Sequence, residues 1–137
     1  MDSGSLTGGI DHLGLTVENL DETSAFFIDC LGWKQVGAKP DYPAVFVSDG
    51  QIMLTLWQLK NTDAAVAFDR KSNVGLHHLA LRATNEAAFD EIYRRVSNWP
   101  GVKVEFAPEL LGNGPTRHMM ILEPGGIRIE FDLRATA

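Results

Sequence analysis

Hydrophobic and polar residues alternate in several short stretches of the chain, and the clearest stretch spans residues 10–17. Side chains of a β-strand point alternately to the two faces of a sheet, so this pattern predicts a half-buried strand. Its residues divide into two sets by face: His12, Gly14 and Thr16 on one, and Leu13, Leu15 and Val17 on the other. Residues 76–82 follow the same pattern and predict a second strand of this kind.

These two stretches belong to an internal repeat, because a shift of 66 positions superimposes them. The matching continues beyond the strands, which indicates that one structural unit occurs twice in the chain. The matched pairs are His12 with His78, Leu13 with Leu79, Leu15 with Leu81, Asn19 with Asn85, and Trp33 with Trp99.

The order of predicted elements is the same in both halves: a strand, a helix and three further strands. The helices carry apolar residues at helical spacing and begin at asparagine, a favoured capping residue. Glycine and proline turns separate the strands. The predicted strands are residues 10–17, 33–37, 44–48 and 51–58 in the first half and 76–82, 102–107, 117–122 and 126–133 in the second, with the second helix over residues 85–97.

The sequence therefore predicts an α+β fold of two β-α-β-β-β modules in tandem, forming curved mixed sheets with helices on the outside. At 137 residues the chain suits one domain. We expect a flexible tail at residues 1–8, then a single domain over residues 9–137, with modules at 9–60 and 75–134 and a linker at 61–74.

Composition narrows the partners that the chain can have. A net charge of −6 disfavours nucleic acid, which binds basic surfaces. No apolar run reaches the length of a membrane span, so a membrane is not expected as a partner. The single cysteine, Cys30, fits the reducing cytoplasm, and no secretory signal is evident at the start of the chain.

Candidate chemistry follows from the faces of the strands. In the last strand, Glu130 lies on the face opposite to its helix-facing neighbours Ile129 and Phe131, and His12 and His78 have the same orientation in the first strand of each module. A lone histidine in a strand is more often a packed or surface residue than a ligand. Two histidines and one carboxylate on one face, however, are the composition of a metal site with open coordination positions, suited to Fe, Mn, Zn or Ni.

The repeated unit resembles the vicinal oxygen chelate superfamily, which includes glyoxalase I, fosfomycin-resistance transferases, extradiol dioxygenases and bleomycin-resistance proteins. The resemblance covers residues 10–133 and rests on short motifs in a fixed order. These are Asp-His-Leu-Gly-Leu around His12, Asn-Leu-Asp at residues 19–21 before Phe26-Phe27, Leu31-Gly32-Trp33, His-His-Leu-Ala-Leu around His78, and the closing Glu-Pro-Gly-Gly-Ile-Arg-Ile-Glu segment that ends at Glu130.

The resemblance implies that His12, His78 and Glu130 are ligands of one divalent metal ion. It also implies a fourth ligand at position 55, where glyoxalase I has a glutamate and this chain has Thr55. Threonine is neither a carboxylate ligand nor a strong base, so a three-ligand site is expected, as in fosfomycin transferases and extradiol dioxygenases. Members of the superfamily commonly form dimers with shared sites, and we therefore expect a homodimer.

Several further residues are candidates for binding a small-molecule substrate. Thr55 is expected to line the open side of the metal. The apolar residues of this set could line a substrate pocket or could equally be ordinary sheet packing. They are Phe46, Met53, Trp57 and Met120. Arg82 could hold an anionic group or form a surface salt bridge. His118 is expected at the rim of the curved sheet or in solvent rather than as a ligand, with a role in supporting the ligands or binding substrate as the alternative. The full set is Thr55, Phe46, Met53, Trp57, Arg82, His118 and Met120.

Two functions are consistent with these features. The first is a metal-dependent enzyme acting on a substrate that chelates the ion through adjacent oxygens, by lyase or isomerase, thiol-transferase or ring-cleaving dioxygenase chemistry; the sequence identifies no catalytic residue beyond the ligands. The alternative is a metal-free protein that sequesters a drug or metabolite, of the bleomycin-resistance type. The complete His-His-Glu set favours the enzyme, because a sequestering protein has no need of metal ligands.

Overall fold

The computed structural model describes residues 4–134, which form two four-stranded sheets and two helices. The first module contains β1 (His12–Val17), α1 (Leu20–Ala25), β2 (Lys34–Lys39), β3 (Ala44–Ser48) and β4 (Met53–Gln58). The second contains β5 (Leu79–Arg82), α2 (Glu86–Val96), β6 (Lys103–Leu110), β7 (Arg117–Leu122) and β8 (Arg128–Leu133). A π-helical segment, Phe26–Cys30, extends α1, and a 3₁₀ turn, Thr62–Ala64, lies between the modules.

Both sheets have the same topology, which confirms the predicted pair of β-α-β-β-β modules. The strand orders are β1-β4-β3-β2 and β5-β8-β7-β6. In each sheet the first strand lies parallel to the last, and the other neighbours are antiparallel. The first and last strands of a module are therefore adjacent, which is why residues far apart in sequence share one stretch of surface.

The two helices begin in the same way, at the repeat-related asparagines. The Asn19 side chain accepts a hydrogen bond from the backbone N–H of Glu22 at 3.1 Å, and Asn85 accepts one from Ala88 at 2.8 Å. Such caps satisfy backbone N–H groups that a helix leaves without a partner. The structure thus supports the repeat at the level of individual hydrogen bonds as well as topology.

One hydrophobic core joins the two modules. The helix-facing residues of both sheets belong to it, including Leu15 and Leu56 from the first and Ile129 and Phe131 from the second. Since the helix sides of both sheets meet in this core, the faces carrying His12 and Glu130 point away from it. Within one chain, therefore, the two polar faces are not turned toward each other.

Polar contacts, one buried and one partly buried, also connect the modules. Thr23 of α1 donates a hydrogen bond at 2.9 Å to the carboxylate of Glu123, which lies in the β7–β8 turn, and Arg95 of α2 donates one to the backbone oxygen of Cys30. Burial raises the pKa of Glu123, although hydrogen bonds from Gly125, Thr23 and Ile127 oppose the effect.

No helix among the described residues is both long enough and apolar enough to cross a lipid bilayer.

Candidate metal centre

Glu130 is the centre of the polar face of the second sheet. It lies on β8 between β5 and β7, and only 8% of it is exposed. Its Oε1 atom lies 3.1 Å from Nε2 of His78, and its Oε2 atom lies 2.6 Å from Nδ1 of His118. The carboxylate is therefore contacted on two sides, by an imidazole on each.

The structure brings together two of the three predicted metal ligands, His78 and Glu130. His78 immediately precedes β5, and its other ring nitrogen, Nδ1, shares a hydrogen bond of 2.7 Å with Nδ1 of His77. Metal–ligand bonds to nitrogen and oxygen are about 2.0–2.2 Å long, so two ligands of one tetrahedral or octahedral ion lie about 3 Å apart. The observed separation of 3.1 Å fits this requirement.

His77 contacts the ring nitrogen of His78 that does not face Glu130. Desolvation lowers the pKa of His77, as do the charges of His78, Arg128 and Arg70, so the neutral imidazole is favoured at neutral pH. A hydrogen bond on the distal nitrogen of a metal-binding histidine fixes the orientation of its ring. His77 is placed to provide that bond.

Asp132 adds a second buried carboxylate to this face. One ligand atom each from His118, Glu130 and Asp132 can be chosen so that all lie within 4.8 Å of one another. Burial raises the pKa of Asp132, as do the hydrogen bond and the negative charge of Glu130. Burial acts in the same direction on Glu130, but hydrogen bonds from His118 and Asp132 and the charges of His118 and His78 outweigh it, so the pKa of Glu130 lies below its ordinary value.

His12 lies apart from this group. Its side chain is 48% exposed, and its Nδ1 atom is 2.6 Å from a carboxylate oxygen of Asp11. Among residues 4–134, no three-residue cluster of potential ligands includes His12. The reason is the arrangement of the modules, because His12 belongs to the polar face of the first sheet, whereas Glu130 belongs to that of the second.

The equivalent face of the first module is aromatic rather than chelating. Thr55 is buried on β4, and its Oγ1 atom accepts a hydrogen bond of 2.8 Å from Nε1 of Trp57. The Trp57 ring packs against Tyr42, with centroids 4.5 Å apart, and against Phe46 at 5.8 Å. Met53 is partly buried at the start of β4, beside His12 in the strand register.

The other predicted substrate-binding residues surround the second-module face. Met120 is buried and lies opposite Glu130 in the register of β7 and β8. Arg82 is exposed and pairs with Asp132 in the register of β5 and β8. It lines a surface cleft together with Arg117 and Arg134.

For His118 the sequence predicted a position at the rim, with a supporting or substrate-binding role as the alternative, and Asp132 was not among the predicted site residues. The His118 side chain is only 12% exposed and contacts Glu130 directly. The hairpin after β7 pairs His118 with Asp132 and Met120 with Glu130. Counting outward from a three-residue loop at 124–126, with Glu123 opposite Ile127, gives this pairing.

Comparison with known proteins identifies the class. The profile of the Glyoxalase/Bleomycin resistance protein/Dioxygenase superfamily matches residues 9–131, and the chain belongs to that superfamily. A search of curated proteins gave no significant match.

Solved structures of similar fold include several from bacteria. A glyoxylase/bleomycin resistance protein/dioxygenase domain from Frankia sp. EAN1pec has a TM-score of 0.77 and 20% identity, covering 96% of this chain and 95% of that one. The fosfomycin resistance protein FosX from Listeria monocytogenes has a TM-score of 0.72 and 16% identity, covering 95% and 96%. A lactoylglutathione lyase from Agrobacterium tumefaciens has a TM-score of 0.69 and 24% identity, covering 94% and 96%. At these identities the likeness shows the fold.

The residues of the second-module face fit a divalent cation of the kind that superfamily members usually bind. Imidazole nitrogens and carboxylate oxygens are the donors preferred by Zn, Mn, Fe, Co and Ni ions. In addition, the Oδ1 atom of Asp132 is buried and has no hydrogen-bond partner within residues 4–134. A buried, unsatisfied oxygen of this kind is costly unless a cation or proton approaches it.

Proposed function

We propose that this protein is a divalent-metal-dependent enzyme of the superfamily, acting on a small molecule that chelates the ion through adjacent oxygens. The observation that carries the proposal is the 3.1 Å approach of His78 Nε2 to Glu130 Oε1. Three protein ligands leave coordination positions open for a substrate. When bound, the cation supplies Lewis-acid stabilisation of negative charge developing on the substrate oxygens.

The third ligand in this proposal is His12 of a second subunit. The polar faces of both sheets point away from the core of their own chain, and His12 is half exposed on one of them. A twofold dimer brings the same two surfaces together twice. Such a homodimer could place the first-module face of one chain over the second-module face of the other and so assemble His12, His78 and Glu130.

In the proposed dimer, residues on both sides of the metal ion would contact the substrate. Phe46, Met53 and Trp57 form a partly buried wall opposite the metal ligands, with Thr55 at its centre. A wall of this composition suits the apolar part of an organic molecule. On the metal side, Met120 lies beside Glu130 and Arg82 beside Asp132, so Arg82 is placed to pair with an anionic group. Lyase or isomerase, thiol-transfer and ring-cleaving reactions all use substrates that can be held in this way.

Metal analysis of the purified protein tests the proposal. We expect about one transition-metal ion per chain, and loss of most of it in His78→Ala and in Glu130→Gln, because each change removes a ligand. Glu18→Gln is the matched control, since Glu18 is exposed and lies outside the cluster. Absence of metal from the wild-type protein after incubation with Zn, Mn, Fe, Co and Ni salts would contradict the proposal.

One observation favours the alternative of a metal-free binding protein. Both oxygens of Glu130 already have imidazole partners, at 3.1 and 2.6 Å, so the carboxylate is satisfied without an ion. In that case the Phe46–Trp57 wall would bind a hydrophobic ligand whether or not metal is present. Titration of intrinsic tryptophan fluorescence with aromatic ligands, in the presence and absence of a chelator, distinguishes the two functions.

A further inference from the structure

Glu130 offers its two oxygens to two different surroundings. Oε1 faces His78, which belongs to the centre proposed above. Oε2 faces His118, and a carboxylate oxygen of Asp132 lies within 4.8 Å of a ligand atom of each of these two residues. The group His118, Glu130 and Asp132 comes entirely from two neighbouring strands, β7 and β8, of one chain.

Asp132 is the unusual member of this group. It is 92% buried, and its Oδ1 atom finds no hydrogen-bond partner in the described part of the chain. Two buried carboxylates this close repel each other when both are ionised. A shared proton lowers this repulsion, as in the hydrogen bond between Asp132 and Glu130, and a cation bound by both carboxylates removes it. A cation bound through Oδ1 would also satisfy the unpaired oxygen.

The spacing of the group allows its members to share one ion, although His118 Nδ1 and Glu130 Oε2, 2.6 Å apart, are in hydrogen-bond contact without it. Ligand atoms around an ion at about 2.1 Å lie about 3–4 Å apart. The selected atoms of His118, Glu130 and Asp132 all lie within 4.8 Å of one another, so small side-chain rotations would bring them onto one ion. Strand pairing fixes the backbone beneath them, because His118 lies opposite Asp132 and both flank Glu130.

We infer that His118, Glu130 and Asp132 form a divalent-cation position within a single chain, which needs neither His12 nor His78. The inference rests on the proposed function only in that both positions share Glu130. In this position the second carboxylate beside Glu130 comes from β8, at Asp132, and not from position 55 on β4, the family's fourth ligand position, where this chain has threonine.

Cobalt and zinc binding by variants of the full chain tests this inference. The variants are Asp132→Asn, His118→Gln, the double variant His12→Ala/His78→Ala, and the double variant with Asp132→Asn added. Asp90→Asn is the matched control, because Asp90 is exposed on α2. The readouts are Zn²⁺ affinity by calorimetry and the visible spectrum of bound Co²⁺, with circular dichroism and the unfolding midpoint as checks of folding.

We expect the His12→Ala/His78→Ala protein to bind added Co²⁺ and Zn²⁺ more weakly than wild type, and addition of Asp132→Asn to weaken that remaining binding by about 30-fold or more. His118→Gln should weaken binding and change the Co²⁺ spectrum, while Asp90→Asn should match wild type.

If His12→Ala/His78→Ala binds neither ion while Asp132→Asn binds as wild type, the inference is overturned and the proposed function stands. If Asp132→Asn and His118→Gln abolish binding while His12→Ala/His78→Ala does not, the inference holds and the proposed ligand set is wrong. Absence of binding by the wild-type protein overturns both.

Discussion

The two modules share a backbone plan but carry different side chains on their polar faces. Strand register makes Thr55 the equivalent of Glu130, because each pairs with the middle of both neighbouring strands. By the same register Trp57 is equivalent to Asp132, and Phe46 to Met120. Where the second module has two buried carboxylates, the first has a hydroxyl and an indole joined by a hydrogen bond.

The comparison shows how the two halves of a duplicated fold can present chemically different faces. Buried carboxylates are unfavourable unless hydrogen bonds or a cation compensate for lost hydration, and the second module supplies imidazoles next to them. The first module avoids that cost, since Thr55 and Trp57 satisfy each other as neutral groups. One face is thereby suited to an ion and the other to the apolar part of a molecule.

Substitution of the equivalent residues Glu130 and Thr55 should produce the largest contrast. Glu130→Gln removes the charged ligand atom common to both candidate cation positions, so we expect metal affinity to fall by about 100-fold or more. Thr55→Val should change it by less than about threefold, because Thr55 contributes no carboxylate. Zinc titration by calorimetry measures both, and equal losses in the two variants would remove the distinction between the faces.

The β-turns before the last strand of each module provide a second contrast, this time in stability. Asp49 caps its turn through the backbone N–H groups of Gln51 and Ile52 and is exposed, whereas Glu123 is buried and also binds Thr23 of the other module. Glu123→Ala should lower the free energy of unfolding by about 2 kcal/mol, because it leaves buried donors without an acceptor. Asp49→Ala should have a smaller effect. Urea denaturation measures both values, and a larger loss in Asp49→Ala would refute this account.

The pH dependence of stability should reflect the raised pKa of Glu123. Burial raises its pKa, so protonated Glu123 is favoured in the folded state. Its contribution is complete below the ordinary glutamate value of about 4.3 and is lost as pH rises through the raised folded value. The stability of wild type relative to Glu123→Gln should therefore decrease with rising pH across that window. Thermal unfolding of both proteins between acidic and neutral pH measures the difference, and an increase would have the wrong sign.

The smallest effect is expected at Gly14, the equivalent of Ala80. A Cβ atom at position 14 would lie 3.0 Å from Thr55 Oγ1 and 3.4 Å from Trp57 Nε1. Gly14→Ala should therefore disturb the Thr55–Trp57 hydrogen bond and cost about 1 kcal/mol or less. Ala80→Gly removes an exposed methyl group and serves as the reverse control. Tryptophan emission and urea denaturation measure the change, and unchanged emission from Gly14→Ala would indicate that the face tolerates the methyl group without rearrangement.

The sequence predicted the fold because its evidence is local and repeated. Alternation in residues 10–17, caps at Asn19 and Asn85, and the glycine turns each determine a nearby part of the chain. It also placed Glu130 and His78 on one face, since strand parity is a local property. The separation of His12 from them depends on how two sheets pack through a common core, which local pattern does not encode.

The contacts of His118 and Asp132 could be predicted only in part from the sequence. Parity alone puts both on the polar face, but their proximity depends on the register of β7 and β8. The tight turn at residues 123–126 sets that register. Side chains that meet across strands are predictable only when the turn geometry is included.

Mixed dimers test the central claim, that the metal centre combines the two unlike faces from different chains. His12→Ala and Glu130→Gln chains carrying different tags are refolded together, and the heterodimer is purified by both tags and freed of metal. In a shared arrangement one of its two sites keeps His12, His78 and Glu130 intact. We predict that the heterodimer binds about one Zn²⁺ with near wild-type affinity, although each homodimer has lost that affinity. Failure to obtain a dimer, or a heterodimer no better at binding zinc than either parent, would contradict the claim.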